Sequence, residues 1–551
     1  MIKPGKPVKN KKLPPSKLNL PVYPNVSCET IASLVQAARP GPNFRQKSVK
    51  VESNFIIEHW SKYSHHFAHS DPCLIDQLTF GFLVPYNLPE FPSVPFGNHR
   101  SANENADIVD EYILKNLQMG ALWGPYEFNP LPYDVVISPM QVVFSSSGKP
   151  RVVVDLSWGK PSVNDGISSE WNEYPGYNGD LHLPSVDSLV SIILSKKPPV
   201  SMWKADMASY YKQLRSDPGH INLLGISWRG YLYFDCTTPF GLRCAALSAQ
   251  RVTEATCAVY RGEYHYDVTG YIDDSAGAEH VKDTPLAAAA FMKTCKVLGL
   301  VPQLPKCIAD VMDMLFLGLG FDTVQFLLYI PQDKLDRAVA MLNEWMNKQS
   351  CTRKQLQSLL GVLNHLAAVV IPGRVFTARL LDVFKAASFP VMIGEEFRLD
   401  LEAWLTFLGD KEFTGKSFIK SSQRSTANHT LAIHVDQGKI AVKCGGETTV
   451  YIPCSIHDFR DSELYVVAVW FVSRFAEFSV HDWLLFTVPT KVIEKLVNRA
   501  ASENNIVRRL IREACLAQAR KDFVIRAVAG DCDPVCKHAL INDNDVKPLV
   551  I

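Results

Sequence analysis

The chain has 551 residues, a formal net charge of +1 at pH 7 and 47% hydrophobic residues. This length is too great for a single hydrophobic core, and the composition excludes a wholly disordered or collagen-like protein. The near-zero net charge does not decide whether nucleic acid is a partner, because a local basic groove is averaged away in a whole-chain sum. Thirteen scattered cysteines argue for a reducing compartment and against a disulfide framework.

The first 25 residues are rich in lysine and proline and contain no long apolar segment. This composition predicts a basic disordered tail over 1–25 and no secretory signal peptide. No apolar run in the chain approaches the roughly 20 residues that a membrane helix needs. We therefore expect an intracellular protein in the cytoplasm, the nucleus or both, with no membrane partner.

The next part of the chain shows helix signals followed by strand signals. Residues 26–100 mix short helical and proline-punctuated pieces, and apolar residues at helical spacing predict a helix over 103–119. Two runs rich in β-branched residues, 133–146 and 150–158, flank a turn-like SSSGKP segment. They predict a pair of strands.

Residues 185–330 alternate strand and helix signals in the manner of an α+β domain. A strand at 201–207, a helix at 243–262, a hairpin at 266–280 and a helix at 285–300 follow one another. After a further strand pair, residues 333–390 are helical, and Thr352 with Gln355 predicts a capping box there. A polar link near 415–428 marks a domain boundary before residues 429–551.

The carboxylates of Asp206, Asp273 and Asp274 are the residues most informative about chemistry. Asp273 and Asp274 are adjacent at the tip of the predicted hairpin, and Asp206 ends a predicted interior strand. An adjacent Asp pair alone is common in surface turns, but a carboxylate on an interior strand requires a partner. Carboxylate oxygens on rigid strands are the ligands that Mg²⁺ prefers in phosphoryl transfer.

Five segments, taken in chain order, carry a resemblance to a known family: GKPRVVVDLSWGKPSVNDGI, KADMASYYKQL, TTPFGLRCAAL, GYIDDSAG, and LGLVPQLPKC followed by LFLGLGFDT. They resemble the boxes of reverse transcriptases, of which the Tyr-x-Asp-Asp box is the most specific. The detailed sequence of these segments, together with the tail domain, looks like that of the reverse transcriptases of DIRS-type, tyrosine-recombinase retrotransposons. This resemblance covers about residues 100 to 545.

The resemblance implies an α+β fold in the form of a right-hand polymerase, with fingers, palm and thumb, followed by a ribonuclease-H-like α/β domain. The expected domains are the tail 1–25, an N-terminal extension 26–100, fingers and palm 101–330, a helical thumb or connection 331–415 and a ribonuclease-H-like domain 429–551. The expected activity is RNA-directed DNA polymerisation, with an RNA template, a DNA or RNA primer, dNTPs and an RNA/DNA hybrid as partners.

The resemblance also assigns roles to individual residues. Asp206, Asp273 and Asp274 would bind two Mg²⁺ ions, with Mn²⁺ as the alternative metal, and Lys306 would donate a proton to the leaving pyrophosphate. Arg, with its planar fork, suits a triphosphate. Arg151 and, as a weaker candidate, Lys149 are expected to bind the triphosphate, and the Met207 backbone is expected to lie beside the metal ions. Tyr211 would be a steric gate against ribonucleotides. Phe240 and Gly241 would shape the nucleotide pocket. Phe240 replaces a polar residue of retroviral enzymes, so we expect packing there and no hydrogen bond.

The C-terminal domain departs from the family pattern. Asp436 and Glu463 match the first two of four expected metal-binding acids. The third position carries Val488-Pro489, and the fourth aligns with Lys537. A lysine there would repel a divalent cation, so we expect a domain that keeps its fold and duplex binding without cleavage.

Two alternatives to the polymerase stay open. One is a catalytically inactive, retroelement-derived protein that binds nucleic acid or another protein through the same fold. The decayed ribonuclease site favours this reading. The residues that speak against it are the intact set of Asp206, Asp273 and Asp274, together with Tyr211, Arg151 and Lys306. The other is an RNA-dependent RNA polymerase with the same palm, which Tyr211 and the tail domain disfavour.

The ribonuclease-H-like prediction can be checked directly. Full-length protein with Mg²⁺ and no dNTPs should leave the labelled RNA strand of an RNA/DNA hybrid intact, because two acids are missing and a lysine opposes the cation. The measurement is gel analysis of the RNA, with an active ribonuclease H as positive control. Metal-dependent release of short RNA fragments would contradict the prediction.

Overall fold

A computed structural model describes residues 1–7, 13–38, 49–95, 97–145, 148–170, 183–370, 373–386, 388–418, 429–436, 439–444, 447–454, 463–468, 470, 483–488, 510, 524–529 and 546–550. The chain divides into two compact units, Met1–Leu317 and Gly318–Ile551. Both units mix helices and strands, which agrees with the expected α+β class at that level. Among the described residues, no helix is both long and apolar enough to cross a membrane.

The α-helices, in chain order, are α1 (Cys28–Ala38), α2 (Ile57–Lys62), α3 (Leu74–Phe80), α4 (Arg100–Glu104), α5 (Ala106–Gln118), α6 (Val186–Ser195), α7 (Tyr210–Gln213), α8 (Ala245–Tyr264), α9 (Thr284–Leu298), α10 (Gln332–Met346), α11 (Arg353–Leu366), α12 (Gly373–Ala386), α13 (Glu395–Leu408) and α14 (Lys411–Thr414). Short 3-10 helices occur at Ser64–His66, Asn164–Gly166, Pro218–Leu223 and Leu304–Lys306.

The strands, in chain order, are β1 (Leu122–Tyr126), β2 (Met140–Phe144), β3 (Pro150–Val154), β4 (Val200–Asp206), β5 (Gly225–Trp228), β6 (Tyr231–Asp235), β7 (Thr269–Tyr271), β8 (Asp274–His280), β9 (Ile308–Val311), β10 (Asp313–Phe316), β11 (Leu319–Asp322), β12 (Leu327–Tyr329), β13 (Ser350–Cys351), β14 (Val391–Met392), β15 (Gly415–Ser417), β16 (His429–Asp436), β17 (Lys439–Cys444), β18 (Glu447–Cys454), β19 (Trp483–Val488), β20 (Val524–Ala529) and β21 (Val546–Val550).

Three sheets lie wholly among the described residues of the first unit. The four-stranded sheet has the order β7-β8-β4-β9, the three-stranded sheet has the order β1-β6-β5, and β2 pairs with β3. The predicted strand pair, the predicted hairpin and both predicted helices of the 185–300 region are confirmed as β2–β3, β7–β8, α8 and α9. The helix expected over 103–119 is instead two helices, α4 and α5, which meet at Asn105.

Helices α8 and α9 pack against one face of the four-stranded sheet. The Trp203 ring on β4 lies 5.8 Å from Tyr260 of α8 and 4.8 Å from Phe291 of α9. Gly277, opposite Trp203 on β8, leaves space for the indole, since a Cβ there would lie 2.7 Å from Trp203 Nε1. Because side chains alternate along a strand, the neighbours of Trp203 on β4 point to the other face of the sheet.

Two residues of the N-terminal segment, where the sequence predicts a disordered tail over 1–25, form specific contacts. Ile2 is buried, and its N–H and carbonyl both hydrogen-bond Val135, at 2.9 and 3.1 Å. Ser16 donates a hydrogen bond to the buried carboxylate of Asp110. Ile2 and Ser16 thus have specific partners, whereas most of the other described residues of this segment are exposed.

In the second unit, α11 begins as the sequence predicts. Thr352 accepts a hydrogen bond from the Gln355 N–H, and the Gln355 side chain accepts one from the Thr352 N–H, which completes the capping box. The buried face of this helix carries leucines at helical spacing: Leu356, Leu359, Leu360, Leu363 and Leu366. Helix α12 contacts both α11 and α13, so this stretch is a helical bundle.

A six-stranded mixed sheet lies in the C-terminal part of the second unit. Its order is β20-β19-β16-β17-β18-β21. Strands β16, β17 and β18 are antiparallel neighbours, whereas β19 is parallel to β16 and to β20, and β21 is parallel to β18. The carboxyl ends of β16 and β19 therefore lie at the same edge of the sheet.

A buried ion pair links α8 to the residues before α3. The Arg251 guanidinium donates to both carboxylate oxygens of Asp71, at 2.6 and 2.7 Å, and to Gln77, at 2.9 Å. The Arg251 side chain is 3% exposed and that of Asp71 is 10% exposed.

We expect Asp71→Ala to lower the free energy of unfolding by about 3–5 kcal/mol, because it leaves a buried guanidinium without its counter-charge. Urea titration of the full chain measures the change. The control is Glu104→Ala, which removes the exposed partner of Arg100 and should cost under about 0.5 kcal/mol. Equal losses in the two variants would contradict the expectation.

Candidate active site

Strand register brings Asp206 and Asp274 face to face. Asp206 ends β4, Asp274 begins β8, and the two residues are directly opposite each other in the antiparallel pair. Lys204, two residues before Asp206, is on the same face of β4, away from α8 and α9. Asp206 is 7% exposed. Like charges opposite each other on a sheet are unfavourable, so this pair requires nearby positive charge.

Asp273 lies in the two-residue loop between β7 and β8. The register pairs Tyr271 with Asp274, which leaves Ile272 and Asp273 as the loop. The Asp273 carbonyl accepts a hydrogen bond from the Met207 N–H at 2.9 Å, so the loop is tied to the end of β4. Asp273 is thereby held beside Asp206 and Asp274, and the structure brings together the three carboxylates singled out by the sequence.

Helix α8 holds this loop through residues that the sequence argument missed. The Gln250 side chain donates to the Gly270 carbonyl at 2.9 Å and accepts from the Ile272 N–H at 2.7 Å. Thr253 donates to the Ile272 carbonyl. Gly270 permits this close packing, because a Cβ there would lie 2.5 Å from Thr253 Cγ2. Gln250 is a polar residue at 0% exposure, and only this burial indicates that its side chain holds the backbone of another segment.

Two lysines supply positive charge to the carboxylates. Lys306 Nζ lies 3.1 and 3.2 Å from the two carboxylate oxygens of Asp206. Lys204 Nζ lies 3.2 Å from Asp274 Oδ1. Lys306 was expected at the site from the sequence, whereas Lys204 was not. Lys204 precedes Asp206 by two positions on a strand, and this spacing is the signal that places Lys204 and Asp206 on one face.

The electrostatics of the site disfavour the ionised form of Asp273. Burial raises the pKa of Asp273 above its ordinary value of 3.8, and the carboxylates of Asp274 and Asp206 raise it further. Lys306 acts in the opposite direction and is a smaller influence. The negative charge here is therefore only partly compensated by the protein itself.

The donor set fits hard divalent cations. It consists of carboxylate oxygens on adjacent strands, which Mg²⁺ and Mn²⁺ prefer over nitrogen ligands. Asp274 Oδ1 is buried and has no hydrogen-bond partner among the described residues, since Lys204 is close but outside hydrogen-bond geometry. A divalent cation bound to this oxygen would satisfy it in place of the Lys204 ammonium.

Tyr211 and Phe240 form an aromatic pair beside the carboxylates. Their ring centroids lie 5.8 Å apart, with the planes at 72°. Burial, together with the nearby Asp273 and Tyr271 side chains, raises the pKa of Tyr211 to about 12. Phe240 is 61% exposed, so it presents an open apolar surface next to Tyr211.

The turn that carries Gly241 is held by Asn164, another residue the sequence argument missed. Asn164 donates to the Gly241 carbonyl at 2.8 Å and accepts from the Arg243 N–H at 2.9 Å. Gly241 has a φ of +96°, which favours glycine. A Cβ on Gly241 would lie 3.4 Å from the Val154 carbonyl, so this turn approaches the end of β3.

Arg151 and Lys149 are not brought into contact with the carboxylates. Arg151 is on β3, opposite Val143, and is exposed without an ion pair to any described residue. Lys149 is also exposed, and only its backbone bonds Ser145. Their assignment to a triphosphate stays a prediction that rests on the sequence.

The ribonuclease-H-like positions are described only in part. Asp436 ends β16, Val488 ends the neighbouring parallel strand β19, and Glu463 lies in a short helical stretch. Pro489 and Lys537 lie outside the described residues. Val488 therefore ends the strand next to β16, and Asp436 lies beyond the last paired residue of β16, Ala432.

No family model matches the chain. No curated protein matches it either. Among solved structures, it is similar to the foamy viral protease-reverse transcriptase dRH in complex with double-stranded DNA, with a TM-score of 0.48 and 13% identity over 94% of this chain and 84% of that chain. Its similarity to the foamy viral protease-reverse transcriptase bound to an RNA/DNA hybrid has a TM-score of 0.47 and 13% identity, over 94% of this chain and 65% of that one. Its similarity to the foamy viral protease-reverse transcriptase in complex with double-stranded DNA has a TM-score of 0.46 and 14% identity, over 94% of this chain and 100% of that chain.

We expect Asp273→Asn to raise the thermal midpoint of the metal-free protein at pH 7. A carboxyl group with a raised pKa in the folded state stabilises the fold at pH values below its unfolded pKa, and this contribution is lost as the pH rises through the folded pKa. The neutral amide avoids that loss. Thermal melts from pH 4 to 7 should therefore show that the difference in thermal midpoint between the variant and the parent increases with pH.

With Mg²⁺ or Mn²⁺ added, the parent should have the higher thermal midpoint and Asp273→Asn the lower one. A bound cation stabilises the folded parent, whereas the variant has lost one ligand. The opposite order at pH 7 without metal, or equal stabilisation of both proteins by metal, would contradict this account of the site.

Proposed function

We propose that this protein is a template-directed DNA polymerase of the reverse-transcriptase kind, which adds nucleotides to a primer 3′ end with two divalent metal ions. The observation that carries the proposal is the register of β4 against β8, which sets Asp206 opposite Asp274 and ties the Asp273 loop to Met207. Three carboxylates gathered on rigid strands suit phosphoryl transfer, where catalysis is mainly positioning and charge stabilisation.

In this proposal Asp206, Asp273 and Asp274 hold the cations, with the Met207 backbone beside them. The bound metal ions would stabilise negative charge on the phosphates and the attacking hydroxyl. Lys306 has a side chain 55% exposed and an ammonium group 3.1 Å from Asp206, so it is available to give a proton to leaving pyrophosphate. Lys204 has the different task of limiting repulsion at Asp274.

The aromatic pair supports selection of deoxynucleotides. Tyr211 lies close enough to Asp273 for the Asp273 carboxylate to raise the pKa of the Tyr211 hydroxyl. Phe240 presents an exposed ring next to Tyr211. A sugar bound between these rings and the carboxylates would meet the Tyr211 ring if it carried a 2′-hydroxyl. The exposed Arg151, which has no ion pair with any described residue, and the exposed Lys149 are suited to the triphosphate.

The second unit is proposed to hold an RNA/DNA duplex without cutting the RNA. Its six-stranded mixed sheet is compatible with a ribonuclease-H-like domain, and Val488 stands at the edge where an acid is needed. The finer origin in a DIRS-type element is proposed from the sequence phrasing alone, and we propose a cytoplasmic or nuclear location for the same reason.

The test is primer extension on a defined RNA template with Mg²⁺ and dNTPs. The parent should extend the primer, and Asp273→Asn should lower extension by at least about 100-fold, the scale on which loss of a charge-stabilising group slows an enzyme. The matched control is Asp283→Asn. Asp283 is an exposed helix N-cap that forms no side-chain cap hydrogen bond, and asparagine serves equally well there.

Extension by the parent and the Asp283→Asn control, but not by Asp273→Asn, supports the polymerase and its metal site together. Folded parent protein that extends no primer but still binds the hybrid favours an inactive nucleic-acid-binding protein. Preference for ribonucleotides over dNTPs favours an RNA polymerase instead.

A further inference from the structure

A cluster of two histidines and one glutamate lies far along α8 from the hairpin contacts. His65 and His66 belong to the 3-10 helix Ser64–His66, and Glu263 is in the last turn of α8. One potential ligand atom from each of the three lies within 4.8 Å of the other two. His66 Nε2 is 2.8 Å from Glu263 Oε1, and the two imidazole centroids are 4.0 Å apart.

The helix surface is shaped to receive His66. A Cβ at Gly262 would lie 2.2 Å from His66 Cε1 and Nδ1, so only glycine at this position lets the ring lie against the helix. As a result the His66 side chain is only 17% exposed, although its partner Glu263 is at the surface with 36% exposure.

The backbone that presents the histidines is anchored on both sides. Trp60, just before them, is fully buried and donates its indole N–H to the Leu298 carbonyl at 2.9 Å. Phe67, just after them, is 3% exposed, and its ring lies 5.8 Å from Trp60. Ligands on a rigid, packed segment are preorganised, so little ordering free energy is lost when an ion binds.

We propose that His65, His66 and Glu263 bind a Zn²⁺ ion. Two imidazole nitrogens and one carboxylate oxygen form a donor set that zinc accepts, whereas Mg²⁺ prefers oxygen ligands alone. His65 and Glu263 are exposed, so water can complete a tetrahedral shell. The ion joins the segment before α3 to the end of α8, and its primary effect is to stabilise that junction.

This site is separate from the carboxylates of the hairpin and does not rest on the proposed polymerase activity. The two sites differ in ligand type as well as position. Zinc binding is therefore expected to persist when the hairpin carboxylates are altered and to be lost when the histidines are altered.

The experiment uses full-length protein stripped of metal, with Mg²⁺ in excess to saturate oxygen-only sites. Zn²⁺ is titrated by calorimetry, and Co²⁺ is titrated as a spectroscopic probe whose visible absorption reports tetrahedral nitrogen and oxygen ligation. The variants are His66→Asn and Glu263→Gln. The controls are His265→Asn, at an exposed left-handed position two residues beyond Glu263 where asparagine is tolerated, and Asp273→Asn.

We expect about one Zn²⁺ per chain in the parent and in both controls. Affinity should fall at least tenfold in His66→Asn and Glu263→Gln, since even a residue that only supports a ligand contributes on that scale. Zn²⁺ should also raise the thermal midpoint of the parent and controls but not of these two variants.

Equal affinity in all five proteins, or no Zn²⁺ binding by the folded parent, would overturn the proposal and leave an ordinary ion pair. If either variant does not fold, Glu263→Ala and His65→Asn replace it. Their exposed side chains can be removed with little loss of packing.

Discussion

The first unit is organised around negative charge concentrated on one sheet face. Opposed aspartates on neighbouring strands repel each other, and burial of the adjacent loop aspartate adds to the cost. The fold tolerates this because Lys204 and Lys306 partly neutralise the charge, while packing on the other face holds the strands in register. Stability and cation affinity are therefore opposed here, as is common where a protein prepares a site for a metal ion.

Much of the site geometry follows from local sequence patterns. The hairpin, the two helices behind it and the capping box of α11 were predictable, because each depends on short-range periodicity or turn chemistry. The three aspartates were predictable as a group, since strand order and the family resemblance both point to them. Their roles in catalysis remain predictions.

The supporting residues were not predictable, because their roles depend on contacts between distant parts of the chain. Gln250 and Asn164 look like ordinary helix or loop residues until each is seen to bond the backbone of another segment. The contacts of the N-terminal segment were not predictable for a similar reason. Its lysines and prolines are typical of disorder, but single residues such as Ile2 find specific partners more than 100 positions away.

The backbone conformation of Ile272 is strained, but the Ile272 side chain fixes the position of the loop. Its φ of +53° is one that a β-branched residue rarely adopts, with a strain on the order of 1–3 kcal/mol, and glycine would relieve it. The isoleucine side chain, however, packs against the apolar core beneath α8 and α9. Glycine would give the loop more conformational freedom and remove this anchor, so the strained residue keeps the aspartate beside it in a narrow range of positions.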